Sequence, residues 1–245
     1  MSHLDVFLNG CFLLNGSSGP VRCAGMRGPM QAVATKLKGR RGDSVLFDDI
    51  SFTLQRGEAL VITGANGSGK STLLRILAGL LRADSGGFAL RGDNGAAMPI
   101  ADFAHYLGHR NAMKRELLVS ENLGFWKSFQ QADSGQGLSI DAAIDQVGLT
   151  GVAHLPFGYL SAGQQRRIAL ARLLVTDRPL WLLDEPTAAL DRRSDAMFAD
   201  LVRAHLAKGG LAIAATHQPL GLETIRSLEL TGIHRAASTD GGAWS

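Results

Sequence analysis

The sequence predicts an α/β fold organised around a mainly parallel β-sheet, and three observations support that prediction. From about residue 36 onward, short apolar runs alternate with helical stretches, an order typical of parallel strands joined by helices. Three of the runs are continuously apolar, as strands buried on both faces require; they are Leu60–Thr63, Leu180–Leu183 and Ala212–Thr216. A glycine-rich segment joins the first run directly to an amphipathic stretch, which predicts a strand–turn–helix unit.

Composition limits the class of protein. The chain has 245 residues, 45% of them hydrophobic and 19% charged, which suits one or two globular domains and excludes disorder or a coiled-coil rod. No window reaches 18 consecutive apolar residues, so we expect no membrane span. The net charge is only +3 with scattered basic residues, so nucleic acid is not expected as a partner. Cys11 and Cys23 are too few for a disulfide framework.

The chain divides into a main domain and two tails. Residues 1–29 have no sustained period, so we expect a disordered tail or a misplaced start, with Met30 rather than Met1 as the initiator. Residues 30–218 form the predicted domain, in which residues from about 111 to 160 are helical, and residues 219–245 form a C-terminal tail. Before the helical part, three short runs separated by turn residues predict an antiparallel portion: Val45–Phe47, Ser51–Leu54 and Phe88–Arg91.

The segment 64–72 is the strongest motif in the chain. It matches GxxxxGK[ST] and lies between an apolar strand and an amphipathic helix, as that motif requires. Its predicted nucleotide-binding residues are Gly64, Ala65, Asn66, Gly67, Ser68, Gly69, Lys70, Ser71 and Thr72. Glycines allow backbone N–H groups to surround a phosphate at a helix N-terminus. Lys70 would contact the β- and γ-phosphates and Ser71 would bind Mg²⁺, whereas a glycine turn that only caps a helix is the simpler alternative.

A second motif ends the apolar run Leu180–Leu183 with two acids, Asp184 and Glu185. The carboxyl end of a buried parallel strand faces the ligand crevice of such folds. Asp184 would hold Mg²⁺ directly or through water, and Glu185 would polarise a water for attack on the γ-phosphate. Acids also commonly begin loops, so Asp184 and Glu185 indicate a nucleotide site only in combination with the phosphate-loop motif at residues 64–72.

A third motif begins a helix with Leu160-Ser161-Ala162-Gly163-Gln164. Ser161 with Gln164 three residues later predicts a capping box, which is a sufficient structural reason for both. The same helix start would also offer N–H groups and a hydroxyl to an anion. A further candidate, His217, follows the run Ala212–Thr216 and is expected to contact the γ-phosphate.

Taken together and in this order, these residues resemble the ABC-transporter ATPase family. The resemblance covers residues 36–218 and implies a P-loop NTPase fold: a RecA-like core, an antiparallel β-subdomain and an inserted helical subdomain. It also implies a head-to-tail homodimer with ATP and Mg²⁺ between Lys70 of one chain and Ser161, Gly163 and Gln164 of the other. The family assigns Glu185 as general base, His217 as a γ-phosphate contact and Asp191 to the D-loop.

Two positions depart from the family pattern. His109 stands where most members have a glutamine, in the loop that links the core to the helical subdomain. Arg40 stands where most members have the aromatic ring that stacks on adenine, and Phe47 lies too deep in its strand to replace that ring. Arg40 or Arg41 could stack on the base through a cation–π contact.

The stretches YLGH, LSAGQQRRIALARLL and RPLWLLDEP resemble one subgroup, the ATP-binding subunits of haem exporters in cytochrome c maturation. That resemblance implies a peripheral ATPase on the cytoplasmic face of the bacterial inner membrane, bound to multi-span subunits resembling CcmB and CcmC. A transporter subunit with a different cargo is an alternative, because the partner sets the cargo. A non-transport ABC ATPase is a weaker alternative, because the chain has a single copy of the motif at residues 160–164, the signature of this family, and no room for a long coiled-coil insertion.

Overall fold

The protein forms two β-sheets flanked by six α-helices in the computed structural model, which describes residues 30–92, 95–130, 137–217, 221–222 and 225–232. The strands are β1 (Gln31–Arg41), β2 (Ser44–Gln55), β3 (Ala59–Gly64), β4 (Ser85–Arg91), β5 (Ala97–Met98), β6 (Ala104–Leu107), β7 (Leu180–Asp184), β8 (Leu211–Ala215) and β9 (Arg226–Leu230). The helices are α1 (Lys70–Leu77), α2 (Ile100–Phe103), α3 (Val119–Gln130), α4 (Ile140–Gln146), α5 (Ala162–Ala171) and α6 (Arg192–Ala207). The predicted N-terminal tail, including Met1, lies outside the described residues.

The larger sheet is parallel and has the order β6-β7-β8-β3-β9. Every residue of β7 and β8 is buried, which explains the continuous apolar runs and confirms the three predicted parallel strands. Because β7, β8 and β3 are neighbours running the same way, their carboxyl ends meet at one edge of the sheet. The three segments that follow these strands are the ones in which the sequence places its phosphate-binding and acidic motifs.

The smaller sheet is antiparallel and has the order β2-β1-β4-β5, as the sequence predicts. The two runs expected as separate strands, 45–47 and 51–54, are one continuous strand, β2. The turn residues between them form an irregularity inside the strand, where Asp49 has φ +55° and the register with β1 shifts. A bulge of this kind admits polar residues without ending the ladder, so the sequence pattern suggested two strands.

The parallel sheet also extends beyond the domain boundary predicted at residue 218. Strand β9 pairs in parallel with β3 along its whole length, from Leu60–Arg226 to Gly64–Leu230. Leu230 is buried whereas most of β9 is exposed, as expected for an edge strand with one apolar face. The assignment of residues 219–245 to a tail is therefore corrected for this strand, which belongs to the core sheet.

The described residues of the segment 111–160 include two α-helices with loops around them. The segment contains α3 and α4 and ends in a 3₁₀ turn, Phe157–Tyr159, immediately before α5. Buried side chains of α3, α4 and α5 share one core with β7 and β8, including Leu123, Ile144 and Ile168. Within the described ranges, no helix is both long and apolar enough to cross a bilayer.

Candidate functional site

The phosphate loop connects β3 to α1 and has the backbone that its glycines permit. Gly64, Gly67 and Gly69 have φ of +136°, +83° and +102°, a region that other residues enter at a cost. Space is as restrictive as conformation at two of them: a Cβ on Gly64 would lie 2.4 Å from the carbonyl oxygen of Leu230, and one on Gly69 would lie 3.0 Å from the Cβ of Leu46. The glycines therefore let the loop close against both sheets.

Lys70 begins α1 and is buried at the centre of this loop. Its ammonium donates hydrogen bonds to the carbonyl oxygens of Gly64, at 2.7 Å, and Ala65, at 3.0 Å. The hydroxyl oxygen of Ser68 is also buried there, without a hydrogen-bond partner in the described structure. A positive charge, a free hydroxyl and a helix N-terminus thus meet at one point, which is an arrangement suited to a phosphate anion.

Ser71 and Asp184 form a pair across the end of the parallel sheet. The Ser71 hydroxyl donates to Oδ1 of Asp184 at 2.9 Å, and Asp184 is only 2% exposed. The other carboxylate oxygen, Oδ2, is buried and has no hydrogen-bond partner within the described part of the chain. A hydroxyl and an orphaned carboxylate oxygen fit Mg²⁺, which takes oxygen ligands and completes its shell with waters and substrate phosphates. The described residues hold no cluster of three or more His, Cys, Asp or Glu for a metal, so such phosphate and water ligands would be needed.

Glu185 and His217 meet at the mouth of the loop. The Glu185 N–H donates to the carbonyl oxygen of Ala215, which brings the end of β7 against the end of β8. His217 Nε2 lies 3.8 Å from Oε1 of Glu185 and 3.2 Å from Oδ1 of Asn66. The ends of β7, β8 and β3 thereby bring together a carboxylate, an imidazole and an amide that lie far apart in the sequence.

The phosphate loop, Asp184 and Glu185 border a cleft of about 320 Å³, and His217 lies beside it through its approach to Glu185. The phosphate loop contributes Asn66, Gly67, Gly69, Lys70, Ser71 and Thr72, and β7 contributes Asp184 and Glu185. Arg41 and Leu46 line it from the antiparallel sheet. Arg40 instead donates to the carbonyl oxygen of Asp43, and Phe47 is buried beneath Gly69. Stacking of Arg41 on an adenine stays a prediction.

The signature residues Ser161, Gly163 and Gln164 lie outside this cleft. Ser161 caps α5 in a complete capping box: its hydroxyl accepts from the N–H of Gln164, and Oε1 of Gln164 accepts from the N–H of Ser161. Gly163 packs closely against the loop after β7, where a Cβ would lie 3.2 Å from the carbonyl oxygen of Ala189. None of Ser161, Gly163 and Gln164 lines the cleft in the described chain.

Asp191 and His109 are not brought to the cleft either. Asp191 caps α6 by accepting from the N–H of Ser194 at 2.8 Å, and that hydrogen bond holds the pKa of its carboxyl below the usual value. His109 is exposed in the loop after β6. A single chain therefore assembles the phosphate loop with Asp184, Glu185 and His217, and leaves the remaining predicted site residues on its surface.

Arg166 is a site residue that the sequence analysis missed. It lies on the inner face of α5 and is 3% exposed, and its guanidinium contacts the loop that contains Glu185. Burial lowers the pKa of Arg166 to about 10, against the opposing charges of Asp184 and Glu185, so it is protonated at neutral pH. Its position three residues before Ala169 and four before Leu170, both buried, places it on a buried helical stripe, where a charge needs partners. That spacing could have identified it.

Three aromatic residues of α3 divide between core and surface. Trp126 donates its indole N–H to the carbonyl oxygen of Ala112, and its ring lies 4.3 Å from the guanidinium carbon of Arg172. Phe125 and Phe129 are 60% and 68% exposed and stack on each other with centroids 5.8 Å apart. Trp126 therefore packs inward, whereas Phe125 and Phe129 form an apolar surface patch.

Comparisons with known proteins show which family this chain resembles. The family model described as ABC transporter matches residues 47–188. The chain is 56% identical over 217 residues to the cytochrome c biogenesis ATP-binding export protein CcmA of Rhizobium johnstonii, covering 88% of this chain and 100% of that protein. It is 60% identical over 205 residues to CcmA of Agrobacterium fabrum, covering 83% of this chain and 96% of that protein.

Solved structures show the same fold. An ABC transporter ATP-binding protein from Pyrococcus furiosus is 23% identical with a TM-score of 0.68, covering 82% of this chain and 97% of that one. The ADP conformation of an ATP-binding cassette from another ABC transporter is 19% identical with a TM-score of 0.64, covering 82% and 87% of the two chains. With its phosphate loop, acidic strand end and signature helix in the family order, this chain belongs to the ABC transporter family of ATP-binding proteins.

Proposed function

We propose that the chain is the ATP-hydrolysing subunit of an ABC-type complex that exports or delivers haem during c-type cytochrome biogenesis. The single observation that carries hydrolysis is the convergence of Lys70, the Ser71–Asp184 pair and Glu185 on one cleft, with His217 beside Glu185. Its similarity to curated cytochrome c biogenesis ATP-binding export proteins, 55–60% identical over most of the chain, supports the haem pathway.

The phosphate loop binds the triphosphate in this proposal. The Lys70 ammonium exchanges its contacts with the carbonyl oxygens of Gly64 and Ala65 for the β- and γ-phosphates, while the N–H groups at the start of α1 face the β-phosphate. Ser71 and Asp184 hold Mg²⁺, directly or through water. That ion would neutralise charge between the two terminal phosphates.

Glu185 acts as general base on the attacking water. Its carboxylate takes the proton as the water oxygen bonds to the γ-phosphorus and the bond to the β-phosphate oxygen breaks. His217, 3.8 Å from that carboxylate, contacts the γ-phosphate. Asn66, within 3.2 Å of His217, holds the imidazole in place.

The second half of the site comes from another copy of the chain. Ser161, Gly163 and Gln164 begin α5 outside the cleft, and a helix start with a free hydroxyl suits an anion. In a head-to-tail homodimer these residues close over the γ-phosphate bound by the partner, and Asp191 lies at the same seam. Closure is then driven by ATP and reversed by hydrolysis.

Membrane subunits resembling CcmB and CcmC are the proposed partners, with the chain at the cytoplasmic face of the inner membrane. The exposed Phe125–Phe129 pair supports a contact there, because exposed apolar patches on a folded chain mark interaction surfaces. Trp126 of the same helix bonds to Ala112, close to the loop that carries His109. A partner seated on this patch is therefore in reach of the loop that links the core to the helical segment.

Two measurements test the proposal. The first is ATP turnover of the purified chain alone and copurified with its candidate membrane subunits; we expect turnover in both and stimulation by the subunits. The second is restoration of c-type cytochromes in a bacterial strain that lacks its own CcmA, with Glu185→Gln as the matched inactive control. Turnover without restoration would favour a transporter of another cargo, and no turnover in either preparation would contradict the ATPase assignment.

A further inference from the structure

Arg166 donates to three consecutive carbonyl oxygens at the catalytic end of β7. Nη2 bonds to Glu185 at 2.7 Å and Asp184 at 3.2 Å, and Nε bonds to Pro186 at 2.9 Å. These are the residues immediately around the proposed general base. The guanidinium thus fixes the path of the main chain that carries the Glu185 carboxylate.

The opposite edge of the same guanidinium is bound by another loop. Nη1 donates to the carbonyl oxygen of Gly108 at 3.0 Å and to Oδ1 of Asn111 at 3.2 Å. These residues flank His109, in the loop between β6 and the helical segment. One side chain therefore joins the signature helix, the base-carrying loop and the linking loop.

All five donors of Arg166 are used in this arrangement, one on Nε and two on each terminal nitrogen. Burying a guanidinium is expensive unless every donor has a partner. Lysine has three donors around one nitrogen and cannot reproduce a planar five-donor fork. The position is therefore built for arginine and not for positive charge alone.

The backbone of Glu185 needs such support. Its φ is +47°, a left-handed conformation that strains a non-glycine residue. The Glu185 N–H is fixed by Ala215 and its carbonyl oxygen by Arg166. Removing the second anchor frees the peptide to relax, and the carboxylate would then leave the side of the cleft that faces His217.

We infer that Arg166 is a positioning residue for hydrolysis: it holds Glu185 in its active conformation and ties that conformation to the signature helix and the linking loop. The inference rests on the proposed ATP hydrolysis. Arg166 acts through Glu185 and does not itself line the cleft in the described chain. Loss of its fork should slow the chemical step and leave nucleotide binding intact.

The test compares Arg166→Lys with a matched buried arginine in the full-length chain. Arg178 is also buried and donates to the carbonyl oxygens of Ala101, Ala104 and Gln130, none of which lines the cleft. Arg178→Lys therefore reports the loss of a buried guanidinium without the contact to Glu185. For each variant, we would measure kcat, the Kd of a non-hydrolysable ATP analogue and the unfolding midpoint.

We expect Arg166→Lys to lower kcat at least about tenfold, with the Kd of the analogue unchanged within about threefold, whereas Arg178→Lys lowers only the unfolding midpoint. In single-turnover reactions, adding Arg166→Lys to Glu185→Gln should leave the residual rate unchanged, because both act through one carboxylate. The inference would be overturned if Arg166→Lys lowered the rate by the same factor in the unaltered chain and in Glu185→Gln. It would also be overturned if Arg178→Lys lowered kcat as much as Arg166→Lys does.

Amide hydrogen exchange provides a readout that does not depend on turnover. Without nucleotide, Arg166→Lys should speed exchange in residues 185–190 and 108–111 and leave the β3 strand protected. Unchanged exchange in both loops would contradict the positioning role. An inactive wild-type chain that shows the expected exchange pattern would contradict the proposed ATPase while leaving the positioning of Glu185 intact.

Discussion

The phosphate loop, residues 64–72, follows a buried strand and is complete within one chain, whereas the signature segment, residues 160–164, begins a helix with an exposed first turn. Lys70 bonds to the loop's own backbone, Ser71 bonds to Asp184, and His217 approaches Glu185, all within one chain. The hydrogen bonds of Ser161 at the start of α5 are made to Gln164 of its own helix. In the proposed function, the chain thus builds one half of a nucleotide site inward and presents the other half outward.

That difference separates binding from turnover. A preorganised loop should bind nucleotide in a single chain, because its donors need no further ordering. In the proposed homodimer, hydrolysis requires the outward half as well, and so a second chain. The predictions test the phosphate-loop half, the signature half or the core and loops that support them.

The largest effect is expected from Lys70→Ala. It removes the buried ammonium at the centre of the loop, and losing one preorganised charge costs roughly a hundredfold or more in turnover. We expect both nucleotide affinity and turnover to fall, measured by titration and phosphate release. Lys208→Ala, at the exposed end of α6, is the control and should match the unaltered chain. Normal turnover in Lys70→Ala would remove the phosphate loop from the account.

Ser161→Asp separates capping from nucleotide contact. Aspartate caps helices as well as serine does, so α5 and the unfolding midpoint should be preserved. A carboxylate facing a γ-phosphate is repelled, which we expect to lower turnover at least about tenfold. The affinity of a single chain for nucleotide, which depends on the phosphate loop, should stay within about threefold of that of the unaltered chain.

Ser139 offers a matched control for that experiment. It caps α4 with φ −62° and ψ 159°, against −61° and 161° for Ser161, and its hydroxyl accepts from the N–H of Ala142. Ser139→Asp should leave turnover unchanged. If Ser161→Asp also leaves turnover unchanged, Ser161 only caps α5 and does not contact nucleotide.

A smaller, pH-dependent effect is expected in the core at the amino ends of β7 and β8, where His105 and His205 lie. Burial lowers the pKa of His105 to about 3 and that of His205 to about 4, so both are neutral when folded and protonate near pH 6.5 when unfolded. The stability that depends on these two neutral histidines is therefore fully present above pH 6.5 and is lost as pH falls toward 4. The loss is about 2 kcal/mol per histidine between pH 7 and pH 5.

Chemical unfolding at pH 7 and pH 5 measures this loss. His205 stacks on Trp181, near the amino end of β7 and away from Asp184 at its carboxyl end, so the core at that end of the sheet is the part affected. Glutamine can donate the hydrogen bond that His205 makes to Leu211 and does not titrate. His205→Gln should remove about half of the pH dependence; an unchanged slope would exclude His205 as a source.

The smallest effect is expected from His109→Gln. His109 is exposed and its neighbours are held by Arg166, so turnover of the isolated chain should change less than about twofold. Cytochrome maturation in the complemented strain should fall if the histidine is specialised for coupling to the membrane subunits. No change in either assay would make this substitution neutral.

Local sequence identified the inward half because its chemistry is contiguous. Residues 64–72 carry glycines, lysine and serine in one run, and Asp184 with Glu185 ends one apolar strand. Their meeting follows from parallel strands that share one edge, as does the place of His217. Three continuous apolar runs were therefore sufficient to predict the strand ends that assemble here.

Contacts between distant segments could not be predicted in the same way. Arg166 reaches Asn111 across 55 positions, and only the packing of α5 against β7 shows that its five donors have partners. Strand β9 was missed because its alternating pattern is short and mostly polar. Strand β2 was divided in two because its bulge carries residues typical of turns.

The most direct test of the shared site is the molecular mass of Glu185→Gln in solution, measured by sedimentation with and without ATP and Mg²⁺. Without its base, this variant should bind ATP and remain closed, so we expect one-chain mass without nucleotide and twice that mass with it. Adding Ser161→Asp should return the ATP-bound sample to one-chain mass. A Glu185→Gln chain that stays monomeric at saturating ATP would contradict a nucleotide held between two chains.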